Sequence, residues 1–569
     1  MLDNIKIGEM LGYCISMITD PIKFVCSLII FVGMGAPQQL LASSIFSFQE
    51  FDKKISAATG VVSTPFDSAF GERVNEFDGT TVFYVQDVSI SGPSALTMVV
   101  GRRLIIQPGN YGSVDLESPG LSQFDDWELD LPSISGVWRA DNGWKTDAGT
   151  WSDPQPTLQR CTYNGTAFDY WRWGSGITVN WGDSSSEPLL TSSDHNSSQF
   201  WINIDGSVKW STESLAKFSC LASSKNGYPG EAFVATRPDG TRYYFDWIVE
   251  KPYAEVKYTE GLRTKYIPRK QVFALVSRVE DRHGNWLNYT YNGKNLTQIT
   301  SNDGRSIFFT YDALNRVTAI SSGGRSWVYT YREQIGNQRG GLRGVLLPDS
   351  SSWTYEKVGN MAEFMPVRSE DSDICGPPAG QYAPNLSFTA VAPSKAVGSF
   401  TFQMTTIQRD DFDCLGATPA YYFAFHLNKR VVTGPGLAPQ TTTWAMEPVL
   451  QAYDYRWVTK TLPDGSSIRS KFGRDPNRNE RQLFQEDIVA PNGVVMQSIS
   501  HSYVEVGSAN PFPERKGFLY YLDPGGWLIG RILPMRQTII LRNGVSYVSL
   551  VDNYDKLGRP LVITRSSVP

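Results

Sequence analysis

Residues 276–331 read VSRVEDRHGNWLNYTYNGKNLTQITSNDGRSIFFTYDALNRVTAISSGGRSWVYTY. Tyr291, Tyr311 and Tyr331 fall twenty residues apart, and Gly284, Gly304 and Gly324 keep the same interval. A fixed period near twenty restricts a chain to architectures made by stacking one small unit. Within each unit the residues alternate. Leu287, Tyr289 and Tyr291 take one parity; Ile307, Phe309 and Tyr311, then Trp327, Tyr329 and Tyr331, repeat it, and Thr and Ser fill much of the other. A strand turns successive side chains to opposite faces, so each unit presents one apolar, aromatic face. Turn signals follow each tyrosine (NGKN, DALN) and separate the runs (Asp303-Gly304, Gly323-Gly324). The unit is strand, turn, strand, turn. One hairpin is marginal in water, so the hairpins must share a face. The expectation is an all-β chain of consecutive antiparallel hairpins coiling into an extended sheet, with helix content near zero over 201–355.

The residues of this stretch resemble a known pattern. Tyr311-Asp312-Ala313-Leu314-Asn315-Arg316-Val317 is similar to the tyrosine–aspartate repeat of the RHS (YD-repeat) family. Tyr554-Asp555-Lys556-Leu557-Gly558-Arg559 matches more closely, with Gly558 where Asn315 stands in the other copy. Asn tolerates left-handed geometry better than most residues. Weaker echoes lie at Asp239-Gly240 and Asp464-Gly465. The segments from Gly92 to Arg102 and around Phe124-Asp125-Asp126-Trp127 loosely resemble the opening of secreted members of the family. The resemblance implies a β shell that encloses a toxin polypeptide, with that polypeptide or the rest of an RHS shell as partner.

The organisation reads as 1–42, a signal peptide or uncleaved anchor; 43–200, an N-terminal β region rich in Trp; 201–355, the YD-repeat sheet; 356–450, an irregular insertion; and 451–569, further YD-like repeats. Phe24 to Ala36 is apolar, follows Lys23, and is short for a membrane span, which suits a bacterial signal-peptide core. Cleavage is expected near 37–43, with export to the medium or cell envelope; Met17 offers an alternative start. Aromatic residues make up 13%, with 50 Gly and 33 Pro, which fits many strands and turns. A net charge of −5 supplies no footprint for nucleic acid. Beyond the leader, Cys161, Cys220, Cys375 and Cys414 are disulfide candidates. Proximity in sequence favours Cys161–Cys220 and Cys375–Cys414, with free, buried thiols as the alternative.

Candidate chemistry is sparse. His195, His283, His426 and His501 fall in no metal spacing, and His283 occupies a repeat turn. Asp410, Asp411 and Asp413 read as a solvated turn rather than a calcium loop. Asp523-Pro524-Gly525-Gly526 mimics the element at which full-length RHS proteins cleave themselves, but its flanks differ, so no protease residue is assigned. Pro569 follows the last YD strand too closely to leave a toxin domain. No catalytic, cofactor-binding or metal residue is assigned. The expected function is a non-enzymatic secreted scaffold of a toxin-delivery system. The alternative is a surface adhesion or carbohydrate-binding protein, resting on Trp127, Trp138, Trp144, Trp151, Trp171 and Trp173. The repeat tyrosines are expected to stack as packing groups.

Overall fold

The computed structural model describes residues 68–77, 79–106, 121–140, 144–150, 153–162, 177–183, 185–192, 210–212, 214–260, 263–333, 340–358, 386–408, 421–447, 455–474, 479, 481–504, 515–516, 533–555 and 558–568. All of these belong to the unit Ser68–Pro569, the larger of two compact units. The leader, Cys375, Cys414, the 410–413 acidic turn, His195 and Asp523–Gly526 lie outside the described residues.

Every regular element among the described residues is a strand. Twenty-six of them form one sheet. From Trp210–Ser211 to Pro560–Val568 the sheet follows chain order, passing over only the two-residue strand Arg515–Lys516. Every pairing along it is antiparallel. The repeat stretch supplies strands Trp286–Asn292, Asn295–Ser301, Ser306–Tyr311, Val317–Ser322 and Arg325–Tyr331. Their odd face carries Leu287, Ile299, Ile307, Val317 and Trp327, all buried, as the alternation requires.

Two boundaries differ from the sequence reading. Strand Ser133–Arg139 pairs with Arg263–Glu280, and Thr178–Asn180 and Ser186–Pro188 extend that branch, so part of the 43–200 region belongs to the large sheet. In the segment expected to be irregular, Leu386–Val391, Val397–Gln408, Tyr421–Gly434 and Leu437–Met446 are consecutive strands of the same sheet. Two of these run 12 and 14 residues, which stretches the distance between turns and hides the twenty-residue rhythm. The alternation itself persists: Phe400, Phe402 and Met404 are buried.

A second sheet of four strands, Glu72–Val74, Thr81–Ile90, Met98–Ile106 and Glu128–Asp130, lies against the apolar face of the large one. Phe83 meets Phe388 and Phe400 with ring centroids 4.7 and 4.8 Å apart, and Phe77 meets Phe472 at 5.9 Å. Arg305, at the start of the Ser306–Tyr311 strand, donates to the Ile90 and Leu96 carbonyls at 2.7 and 3.1 Å. A flat sheet would spread the strands carrying Arg305 and Phe472 over about 48 Å at the usual strand spacing, whereas a ten-residue strand is only about 33 Å long. The large sheet therefore curves around the small one.

Candidate functional site

Curvature and closure of this wall come from three devices that recur along it. The first is a five-residue turn. In it the N–H of the first residue donates to the carbonyl of the fifth, and the fourth residue's N–H donates back to the first carbonyl. It occurs at 237–241, 281–285, 301–305, 312–316, 347–351, 392–396, 462–466, 490–494 and 555–559. The fourth residue has positive φ: 83° at Gly284, 90° at Gly304, 61° at Asn315 and 75° at Gly558. This is the three-residue hairpin loop in which a type I turn is followed by a left-handed residue. Gly324 belongs to a different turn, the two-residue Gly323-Gly324 loop with φ 55° and 76°, so the shared interval of the three glycines spans two turn classes.

The aspartate of the repeat closes the turn. Asp312 Oδ1 accepts from the Leu314 and Arg316 N–H groups at 2.9 Å each, and Arg316 Nε donates to its Oδ2 at 2.8 Å. Asp555 holds Arg559 in the same way, through the backbone N–H at 2.9 Å and the guanidinium. The Asp312 carboxyl is drawn below its ordinary range; burial opposes the shift, and the Arg316 backbone and guanidinium outweigh it. His283 sits in the equivalent turn, its N–H on Asp281 Oδ1 at 2.8 Å.

The second device is a bulge one step before each repeat aromatic. The register shifts between Thr290 and Tyr291, Thr310 and Tyr311, Thr330 and Tyr331, Ser502 and Tyr503, and Asn553 and Tyr554. Phe245 and Phe472 mark the same shift. The partner strand carries the extra residue. Two of these extra residues, Thr297 and Thr318, turn their hydroxyls onto the Thr290 and Thr310 carbonyls at 2.9 and 3.2 Å. A bulge bends its strand and increases local twist, so repeating it coils the sheet.

The third device is the tyrosine hydroxyl. Tyr291 donates to the Val276 carbonyl at 2.7 Å, Tyr311 to Leu296 at 2.7 Å, and Tyr331 to Val317 at 2.5 Å. Tyr503 donates to Leu483 and Tyr554 to Met535, both at 2.8 Å. Each acceptor is the residue paired with the preceding aromatic: Val276 with Phe245, Leu296 with Tyr291, Val317 with Tyr311, Leu483 with Phe472, Met535 with Tyr503. The expected ring-on-ring stack is not what links Tyr291, Tyr311 and Tyr331. Neighbouring units are joined from hydroxyl to carbonyl, because the rings lie on alternate strands, about 10 Å apart at the usual strand spacing, while the phenol still reaches the strand between them. Burial raises the phenols of Tyr291 and Tyr311 well above their ordinary value, consistent with neutral donors.

The small sheet is keyed into the wall by a buried polar cluster. Arg102 donates to Asp87 at 2.8 Å and to the Tyr355 hydroxyl at 2.7 Å, and Tyr329 donates to Asp87 at 2.9 Å. The guanidinium lies 4.7 Å from the Trp127 ring centroid. Burial alone would lower the Arg102 ionisation, but Asp87 and Tyr355 more than offset it. Asp125 and Asp126 accept from the Gly341 and Leu342 N–H groups at 2.9 and 2.8 Å, so the Phe124–Trp127 segment caps the wall. Gly92 lies under Arg305, and a Cβ there would come within 2.4 Å of the guanidinium carbon.

Cys161 and Cys220 form a disulfide with Cα atoms 5.6 Å apart. Glu231 is close to both sulfurs, but its carboxylate accepts from the Thr162 N–H and hydroxyl, and the sulfurs are bonded to each other. Trp127, Trp138 and Trp144 are buried in the core, the last two edge to face at 5.5 Å, and so offer no exposed platform for a sugar. Trp151, Trp171 and Trp173 lie outside the residues whose side chains are described.

Sequence reasoning missed Phe472 and Tyr503 as members of the bulge series and three of the nine turns, at 347–351, 392–396 and 490–494. A signal for the turns was present: Arg237-Pro238-Asp239-Gly240, Leu347-Pro348-Asp349-Ser350, Ala392-Pro393-Ser394-Lys395, Leu462-Pro463-Asp464-Gly465 and Ala490-Pro491-Asn492-Gly493 share one grammar. Proline presets the second position, and the Asp, Asn or Ser side chain accepts from the fifth N–H, as Asp239 does from Thr241 at 2.8 Å.

No curated protein shows a match to this chain. Residues 289–326 match the family model of the RHS Repeat. That window holds Tyr291, Tyr311 and the Asp312 turn, parts that recur in the strands on either side of it, so the repeat stretch is similar to the RHS Repeat in sequence and in the devices that build it.

Proposed function

We propose that this RHS-repeat chain is a non-enzymatic wall of a secreted shell that holds a toxin polypeptide. The observation that carries the reading is the distribution of covering on the inner face. Among the described residues from Arg242 to Trp444 that face is mostly buried in one core, part of it against the small N-terminal sheet, and from Tyr455 to Val489 it is mixed, buried at Val458 and Val489 and half-buried at Phe472 and Leu483. Along Met535–Arg542, Val545–Tyr554 and Pro560–Val568 every residue but Tyr554 is half-buried or exposed. A curved wall with one inner region filled and another open suits a container with room for cargo. The Cys161–Cys220 bridge supports export to an oxidising compartment, in keeping with the apolar 24–36 segment. The carbohydrate-binding alternative rested on tryptophans, and those described are core residues.

The test is limited proteolysis of the native material exported by producing cells. A polypeptide that resists protease beside the intact wall, and is digested once the wall is unfolded, supports the reading. Native material with no such protected polypeptide would sink it.

A further inference from the structure

Among the described residues, Cys161, Cys220 and Glu231 are the one group of three potential metal ligands whose ligand atoms all lie within 4.8 Å of one another. Cys161 and Glu231 are buried, and the half-buried Cys220 marks the side open to solvent. In the oxidised chain the disulfide occupies both sulfurs. The bridge is not what gathers these residues, however. The Cys161 carbonyl accepts from Trp210 Nε1 at 3.0 Å, and the Glu231 carbonyl accepts from Trp144 Nε1. Cys220 lies in the strand Lys217–Leu221, opposite Phe233 of Ala232–Thr236, the strand that Glu231 precedes. The Glu231 carboxylate is oriented by the Thr162 N–H at 2.8 Å and the Thr162 hydroxyl at 2.9 Å. Each residue keeps its own anchor when the bridge opens.

The chemistry of the opened site follows from what surrounds it. A reductant delivers two electrons and two protons and leaves two thiols. A thiol that ionises beside a buried carboxylate adds like charge in a poorly solvated place, so the pair stays protonated until a cation arrives. A divalent ion takes both sulfurs as thiolates and releases their two protons. Thiolates select thiophilic ions, and two sulfurs with one carboxylate oxygen are ligands that tetrahedral zinc accepts. Its bonds of about 2.0–2.3 Å need ligand atoms about 3.5–4 Å apart, a spacing that rotation of the two freed side chains can supply. The Thr162 donors then orient the ligating carboxylate, as hydrogen bonds to metal ligands commonly do.

We propose that Cys161, Cys220 and Glu231 form a site for a thiophilic divalent ion of the zinc class in the reduced chain. Closing the disulfide, which passes two electrons from the thiolates to a disulfide oxidant, expels the ion. The ion ties the residue after Asp153–Gln159 and Arg160 to the strand Lys217–Leu221, the link that the bridge makes in the oxidised chain. One set of residues thus holds this part of the sheet together under reducing and oxidising conditions alike.

The test uses the full chain, reduced without oxygen by a water-soluble phosphine. The phosphine opens the bridge to two thiols and becomes the phosphine oxide, taking its oxygen from water. Cobalt(II) is the probe, since it replaces zinc and absorbs visibly. Readouts are the sulfur-to-cobalt charge-transfer band, the tetrahedral visible bands, and amide exchange in Lys217–Leu221 and Ala232–Thr236. The expected result is a charge-transfer band in the reduced chain that zinc abolishes and that the oxidised chain lacks. Cys161→Ser and Cys220→Ser should each remove it, which separates this site from any cobalt held by other cysteines. Glu231→Gln should weaken binding about tenfold or more while its disulfide still forms on oxidation. Both strands should be as protected in the reduced, cobalt-loaded chain as in the oxidised one. No charge-transfer band at millimolar cobalt would overturn the proposal, as would an equal band in Cys161→Ser. Undiminished binding by Glu231→Gln would also overturn it, because the carboxylate would then be no ligand. So would strands that stay unprotected at saturating cobalt, because the ion would then make no link.

Discussion

A phenol on a repeat strand does two separable jobs, and Tyr291 shows both. Its ring is buried and stacks 5.4 Å from Trp247, while its hydroxyl satisfies the Val276 carbonyl. Tyr291→Phe keeps the ring and strands a buried acceptor, which should cost about 1–3 kcal/mol. Tyr291→Ala removes both and should cost about 3–5 kcal/mol, as for other buried aromatics. Denaturant midpoints at unchanged slope measure each, and equal losses for the two variants would mean that the ring contributes nothing. His426 offers a pH test. It is buried against the 75–80 loop, where a Cβ on Gly79 would meet it at 2.6 Å. Burial, reinforced by Arg456, pushes the imidazole down to about 4 from an ordinary value near 6.5. The unfolded chain therefore takes up the proton first as pH falls. Stability is full above about 6.5 and is lost progressively down to about 4, by about 3 kcal/mol in all. His426→Leu should flatten the stability profile between pH 6.5 and 5, a window above the range in which the lowered carboxylates Asp312, Asp349 and Asp464 contribute.

At the scale of the element, the five-residue turn tolerates three kinds of residue at its left-handed position, and they should not be equal. Gly has no penalty there, Asn a small one, and Ser350 and Lys395, with φ 67° and 66°, a larger one. Lys395→Gly and Ser350→Gly should each stabilise the chain by about 1 kcal/mol, whereas Gly284→Ala should destabilise it by about 1–2 kcal/mol. Thermal midpoints moving the other way would contradict the turn assignment. The Cys161–Cys220 bridge closes 59 residues of sequence, and replacing both cysteines with Ser should cost about 2–5 kcal/mol. The strands around Tyr291, Tyr311 and Tyr331 were legible because alternation and turn chemistry agreed within a short window. The Pro-Asp-Gly turns were legible in principle but fall at unequal spacing, since strand lengths vary from one hairpin to the next. The bulges leave no local mark: Thr297 and Thr318 are ordinary strand residues, and only the partner strand reveals that they are extra.

For the whole molecule, the decisive partner of the repeat wall is remote in sequence, which is why no periodicity could announce it. Arg430 and Glu72 are 358 residues apart and meet at 2.7 Å with side chains 2% and 3% exposed. Glu72 also accepts from the Phe70 N–H at 3.0 Å, and Arg430 donates to Thr442 at 3.2 Å, so the pair ties the first strand of the small sheet to the middle of the large one. Read in sequence, each is an unremarkable charge. Two ions this deep gain little net energy from each other, since desolvation consumes most of the attraction. Breaking the pair is another matter. Glu72→Gln leaves a buried guanidinium without its counter-charge and should cost about 3–5 kcal/mol. Replacing both residues with Met should recover most of that loss, because the cavity is filled and no charge remains buried. Amide exchange in Thr81–Ile90 and Met98–Ile106 is the measurement, because these strands should lose protection in the single variant before the repeat hairpins at 286–331 do. If Glu72→Gln left their protection unchanged, the small sheet would be held by its Phe83 and Arg102 contacts alone, and the ion pair would have no part in keeping it inside the wall.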